Sequence, residues 1–93
     1  MKNDVSQDEI TNFKQALYID GTDDDALIGN YLKSAKVYVQ NAVNPTVDLT
    51  MYDQYTFAVQ MLAQFWYQNR GIDMEKTPYQ VVSMIQQLRG LVD

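Results

Sequence analysis

Cysteine and histidine are both missing from this 93-residue chain. Without cysteine there is no disulfide framework and no thiolate metal site. Without histidine the commonest general base and the commonest zinc ligand are gone. Cationic residues are few: seven Lys and Arg stand against twelve Asp and Glu, for a net charge of −5 and a pI near 4.4. That balance argues against a free nucleic-acid binder, which shows a basic patch, and against an anionic membrane surface as partner. No apolar run approaches the ~20 residues that span a bilayer. The opening MKNDVSQDE is too polar for a secretory signal. The expected location is therefore the cytoplasm, or a particle assembled there.

Catalytic patterns are absent as well. The chain has no nucleophile–histidine pair, no phosphate-cradling glycine loop and no H-E-x-x-H. The densest acidic segment, DGTDDDALIGNY, lacks the alternating ligands, central glycine and late glutamate of a calcium loop. Asp20 and Asp23 to Asp25 instead suit a helix start, where carboxylates meet the positive end of the helix dipole. The expectation is a protein that is not an enzyme, with no cofactor and no bound metal.

What is present is a dense apolar helix. At about 3.6 residues per turn, the stretch Tyr52–Arg70 carries one stripe of Tyr55, Val59, Leu62 and Trp66 and a second of Phe57, Met61 and Phe65. Gln60, Gln64 and Gln68 leave only a narrow polar strip. A helix this apolar is buried on more than one side. One domain of this length buries a modest core, which oligomerisation commonly supplements.

The remaining elements follow from caps and periodicity. Ser6 and Glu9 form an S-x-x-E capping box, with Val5 and Ile10 as its hydrophobic staple, and predict a helix from about Gln7 to Tyr18 that the Asp20-Gly21 turn stops. Thr22 is the expected N-cap of a second helix, from about Asp23 to Val43. Leu27, Ile28, Tyr31, Leu32, Ala35, Tyr38, Val39, Ala42 and Val43 share its apolar half, and Asn30, Lys33, Ser34, Lys36, Gln40 and Asn41 its polar half. Val37 projects from the polar half. Asn44-Pro45 closes this helix. Thr50 and Asp53 read as N-cap and N3 of the central helix, which Gly71 ends with Arg70 in its last turn. A polar linker, 71–77, leads to Thr77-Pro78, a cap with proline at the first helical position. The last helix carries Val81, Ile85 and Leu88, ends at Arg89-Gly90 and leaves Leu91–Asp93 as a tail, where a short strand is an alternative. The reading is all-α: one domain, 1–93, a small bundle of about four helices around a mostly buried third.

The order of segments resembles a known family. LYIDGTDDDALIGNYLKSAKVYVQN, then FAVQMLAQFWYQNRG, then TPYQVVSMIQQLR is similar to the small phage head–tail connector proteins, also labelled DNA-packaging proteins. The matching positions are Leu17 to Asp25 with Leu27, Ile28, Leu32, Ala35 and Tyr38; Trp66 to Arg70; and Pro78 with Val81, Ile85, Leu88 and Arg89. The Asn44–Leu49 loop departs from the pattern, since relatives often carry a longer insertion there. The resemblance implies an all-helical structural subunit, in a virion or a prophage, that forms a homo-oligomeric ring beneath the capsid portal. The ring extends the DNA channel at the virion neck and docks a head-completion or tail protein. Double-stranded DNA is then passing cargo, and an acidic lumen lets it slide, because phosphate attraction is what holds DNA to proteins.

Two other readings stay open. One is a small cytoplasmic adaptor that binds a partner helix through a spare apolar stripe. The other is a helix-turn-helix regulator, against which the three aspartates opening the second helix count, since they repel phosphate. A ring needs a heterologous interface between two different patches. The candidate subunit interface comprises Val37, Tyr38, Phe57, Met61 and Phe65, with the Val37/Tyr38 edge of one subunit meeting the Phe57/Met61 region of the next. Trp66 and Leu62 are expected in the core. Trp66→Ala should cost ~3–5 kcal/mol, as large aromatic truncations in cores do; a variant that melts like the parent would remove Trp66 from the core.

Overall fold

The first helix begins where the capping box closes. Ser6 Oγ accepts the Glu9 N–H at 3.2 Å, and a Glu9 carboxylate oxygen accepts the Ser6 N–H at 3.0 Å. The structure is a computed structural model that describes residues 5–69 and 77–92. Helix α1 spans Gln7–Ala16, α2 Asp25–Val43, α3 Asp53–Gln68 and α4 Tyr79–Val92, and the described residues contain no strand. Val5 and Ile10, the staple pair, both pack half-buried against the core.

Helix α1 stops earlier than the Asp20-Gly21 turn predicts. Leu17 is its C-cap, and Tyr18 follows in the left-handed region at φ 57°. The Ile19 N–H donates to Lys14 O at 2.9 Å and the Tyr18 N–H to Gln15 O at 3.3 Å. This is the bond pattern of a Schellman motif, with tyrosine where glycine usually sits. Helix α2 likewise starts at Asp25 rather than at Asp23. Its N-cap is Asp24, whose side chain makes no capping bond. Thr22 contributes its carbonyl to the Asp25 N–H at 3.2 Å instead of capping.

The link to α3 is also built differently from expectation. Thr50 turns to Asp48, whose Oδ1 accepts both the Thr50 N–H at 3.0 Å and its hydroxyl at 2.6 Å. Tyr52 becomes the N-cap, so Asp53 is the first helical residue rather than the third. Asn69 caps the other end through its backbone N–H and its Nδ2, both given to Phe65 O. The expected stop at Arg70 and Gly71, like linker residues 71–76, lies outside the described residues. Pro78 accepts the Val81 and Val82 N–H groups and so opens α4. That helix runs through Gly90 to Val92, and Leu91 and Val92 are helical rather than a tail or strand.

Helix α3 packs chiefly on α2 and α4, α2 also meets α4, and α1 lies on α2. Tyr55, Val59, Leu62 and Trp66 are all buried, Leu62 completely and Trp66 to 6% exposure. The α2 faces agree with the amphipathic reading except at four positions, one of them Tyr38, which belongs to the apolar half and is 38% exposed. Leu27, in the apolar half, is 36% exposed, whereas Lys36 and Gln40, in the polar half, are buried. Lys36 pairs with Glu9 at 2.8 Å, and Gln40 Nε2 donates to Asn44 O and Val47 O, each at 2.6 Å. A single apolar half would suit one covering helix. Here α1 and the α2–α3 loop cover further sectors, and the two long side chains find partners there.

Two measurements test these contacts. Tyr18 is 93% exposed, so its side chain buries nothing against its own subunit to offset the left-handed backbone. Tyr18→Gly should raise stability by about 0.5–1 kcal/mol, the left-handed cost less the greater chain entropy that glycine loses; an unchanged or lower melting temperature would contradict it. Burial on its own would raise the Glu9 carboxyl, but the hydrogen bond from Lys36, the Ser6 bonds and the Lys36 charge outweigh it and hold Glu9 below the ordinary glutamate value. A folded pKa below the unfolded one contributes stability that is full above the unfolded value, about 4.3, and is lost as pH falls through the folded one. Glu9→Gln should therefore lower urea stability at neutral pH and converge on the parent in acid. A gap of constant size down to about pH 3 would show that Glu9 ionisation is not involved.

Candidate interaction surfaces

A row of rings ties α1, α2 and α3 together. Phe13 of α1 meets Tyr67 edge-on at 5.4 Å, Tyr67 meets Tyr31 at 6.5 Å, Tyr31 meets Trp66 at 6.4 Å, and Trp66 meets Tyr38 edge-on at 6.2 Å. Edge-to-face pairs of this kind add to area burial. The Tyr67 hydroxyl donates to the Asp24 carboxylate, and Lys14 pairs with Asp25 at 2.8 Å. Asp24 and Asp25 are thus engaged within the fold, and the two aromatic and acidic segments that carry the family resemblance clasp one another.

Three surface features remain. The first is a shallow groove of about 580 Å³ along α2, lined by Ser34, Val37, Tyr38, Asn41, Ala42 and Trp66. Val37 and Tyr38 are each 38% exposed. Trp66 forms its floor, and the Trp66 indole N–H is buried without a hydrogen-bond partner among the described residues. The Tyr38 hydroxyl shares a 2.8 Å hydrogen bond with Thr77 Oγ1, which ties the groove's edge to the start of α4.

The second feature is a strip on the outer face of α3. One hollow is bordered by Asn12 and Ala16 of α1 with Phe57 and Met61. The next is bordered by Met61 and Phe65 with Pro78 and Gln80. They share Met61 and Gln64, so the surface is continuous from α1 to α4. Phe57 is half exposed, while Met61 and Phe65 are half-buried against the core. The five sequence-predicted contact residues therefore fall on two separate surfaces: Val37 and Tyr38 on α2, and Phe57, Met61 and Phe65 on α3.

The third feature is a cavity of about 240 Å³ lined by Glu9, Lys36, Thr50, Tyr55, Thr56 and Val59. Burial, reinforced by the Glu9 and Asp48 charges, pushes the Tyr55 phenol up to about 12. With Lys36 paired to Glu9 and Tyr55 held protonated, the cavity presents neither a free amine nor a phenolate. Three features were hidden from sequence reasoning: the Lys36–Glu9 pair, the unpartnered Trp66 N–H and the left-handed Tyr18. The first spans 27 positions, and no local signal marks any of them.

Neither curated proteins nor solved structures give a match to this chain. The described residues hold no group of three or more potential metal ligands, and no described helix is long and apolar enough to cross a membrane. Residues 7–90 match the family of phage gp6-like head–tail connector proteins. With an all-helical bundle and a match over nearly its whole length, the chain belongs to that family of phage structural proteins.

Proposed function

We propose that this chain is a ring-forming subunit at the virion neck, placed between the capsid portal and the head-completion or tail proteins. The observation that carries the reading is the pair of distinct apolar surfaces on one small subunit, the α2 groove and the α3 strip. A closed ring needs two different patches that meet head to tail. The α2 edge at Val37 and Tyr38 is one contact surface, and the neighbouring subunit's strip at Phe57, Met61 and Phe65 is the other. The subunit provides no catalytic chemistry. Its contribution is a shaped channel for double-stranded DNA, without sequence reading.

Charge supports the channel role. Among the described residues, five aspartates are exposed (Asp8, Asp20, Asp23, Asp48 and Asp53) against the cations Lys33 and Arg89. A surface of that sign gives phosphates little to hold.

Val37→Asp should abolish ring assembly and leave the subunit folded. A carboxylate buried between subunits without a partner is costly, whereas position 37 lies off the core. Circular dichroism checks the fold; sedimentation and electron microscopy with the portal protein of the same phage check the ring. Normal rings carrying Asp at position 37 would exclude this edge from the interface. A parent protein that binds portal as a lone subunit would favour the adaptor reading instead.

A further inference from the structure

We infer that the occupant of the α2 groove is the α1–α2 corner of a second copy of this chain, with Tyr18 as the inserted side chain. The inference rests on the ring reading and adds to it a specific knob, a specific hole and their charges. The hole is the groove over Trp66, whose walls include Val37 and Tyr38. Trp66 lines it, and the Trp66 indole N–H is buried with no acceptor among the described residues. A buried donor left unpaired is a cost that a native surface seldom carries.

The knob is the most exposed large hydrophobic side chain of the described residues, Tyr18 at 93%. Its backbone sits at φ 57°, where glycine is the relaxed choice at the end of a helix. A bulky aromatic kept in a left-handed position, with nothing of its own subunit to pack on, points to a role outside the subunit. Tyr79, also highly exposed, is a poorer knob, because it stands two residues from Thr77, which is already bonded to the groove's own Tyr38. A heterologous contact needs a different patch. Tyr18 supplies one: it lies two residues past Ala16, at the end of the strip that carries Phe57 and Met61.

Charges agree with this pairing. Asp20 and Asp23 are exposed on the corner beside Tyr18. Lys33 is exposed on α2 one turn before Val37, on the same edge as the groove. Tyr18 cannot enter its own groove. Val37 lies twelve residues beyond the first residue of α2, which at 1.5 Å per residue is roughly 18 Å along the helix from the corner.

Two experiments decide it. Tyr18→Gly should give opposite signs: a higher melting temperature and a loss of self-association by sedimentation over a concentration series. Rings or oligomers that form as in the parent would overturn the proposal, and a purely structural role for Tyr18 would not separate the two readouts. The chain has no cysteine of its own, so Tyr18→Cys and Ser34→Cys can be combined in one chain and oxidised. The expected product is a disulfide ladder of dimers, trimers and higher species, while either single variant stops at the dimer. Oligomers in sedimentation without a ladder refute this pairing and leave the ring standing. A parent that remains a monomer throughout, alone and with portal, refutes the ring and the pairing together.

Discussion

Helix α3 leaves only a narrow polar strip to water, and the rest of the molecule is arranged around that constraint. Its Tyr55–Trp66 stripe is sealed by α2, and Ala58 and Ala63 are fully buried as well. Helix α4 takes a further side through Val81, Ile85 and Leu88. Two helices of modest length cannot close every sector of a third, which leaves the Phe57–Phe65 strip covered only at its margins by α1 and the start of α4. A monomer can carry such a strip, but an assembling subunit can use it. The same shortage of surface that makes a small domain marginal provides material for an interface.

The polar contacts have a different task from the apolar ones. Burial is non-directional and holds α1 against α2 at more than one position. Glu9 restricts the choice. Its carboxylate receives Ser6 and Lys36, and its backbone carbonyl receives the Gln60 amide at 3.2 Å. One residue thereby aligns α1 with both α2 and α3. At the other end of α1 the Lys14–Asp25 pair fixes it to α2, and the Asp24–Tyr67 bond fixes the start of α2 to α3.

How much of this was legible before the structure follows from which interactions are local. The capping box, the staple and the period of the central stripe involve neighbours within a turn or two, so four helices and the burial of Leu62 and Trp66 could be read directly. Helix boundaries were read less well. Thr22 and Thr50 have the right chemistry for N-caps, but the chain uses one as a turn carbonyl and the other as an Asp48 partner. The α1 stop was assigned to Asp20-Gly21 because tyrosine gives no hint of a left-handed conformation. Lys36 and Gln40 were placed with solvent because their partners are a distant helix and a loop carbonyl pair. The candidate contact residues are Val37 at an odd position on α2, Tyr38 at the edge of its apolar half, and Phe57, Met61 and Phe65 on the second stripe of α3. The structure sorts them onto two surfaces, a division that only the positions of α1 and α4 create.

The Gln40 amide has a consequence for how this hairpin tolerates change in length. By holding the carbonyls of Asn44 and Val47 together, it gathers both ends of the exposed Pro45-Thr46 tip into one fixed gate. Residues added between those ends lengthen a loop whose closure is already made, and each doubling of a flexible loop costs only about 0.6 kcal/mol. The helices on either side need not move. This chain carries a minimal tip, and with its closure already made the distance between α2 and α3 can stay constant while any outgrowth between them is free to acquire contacts of its own.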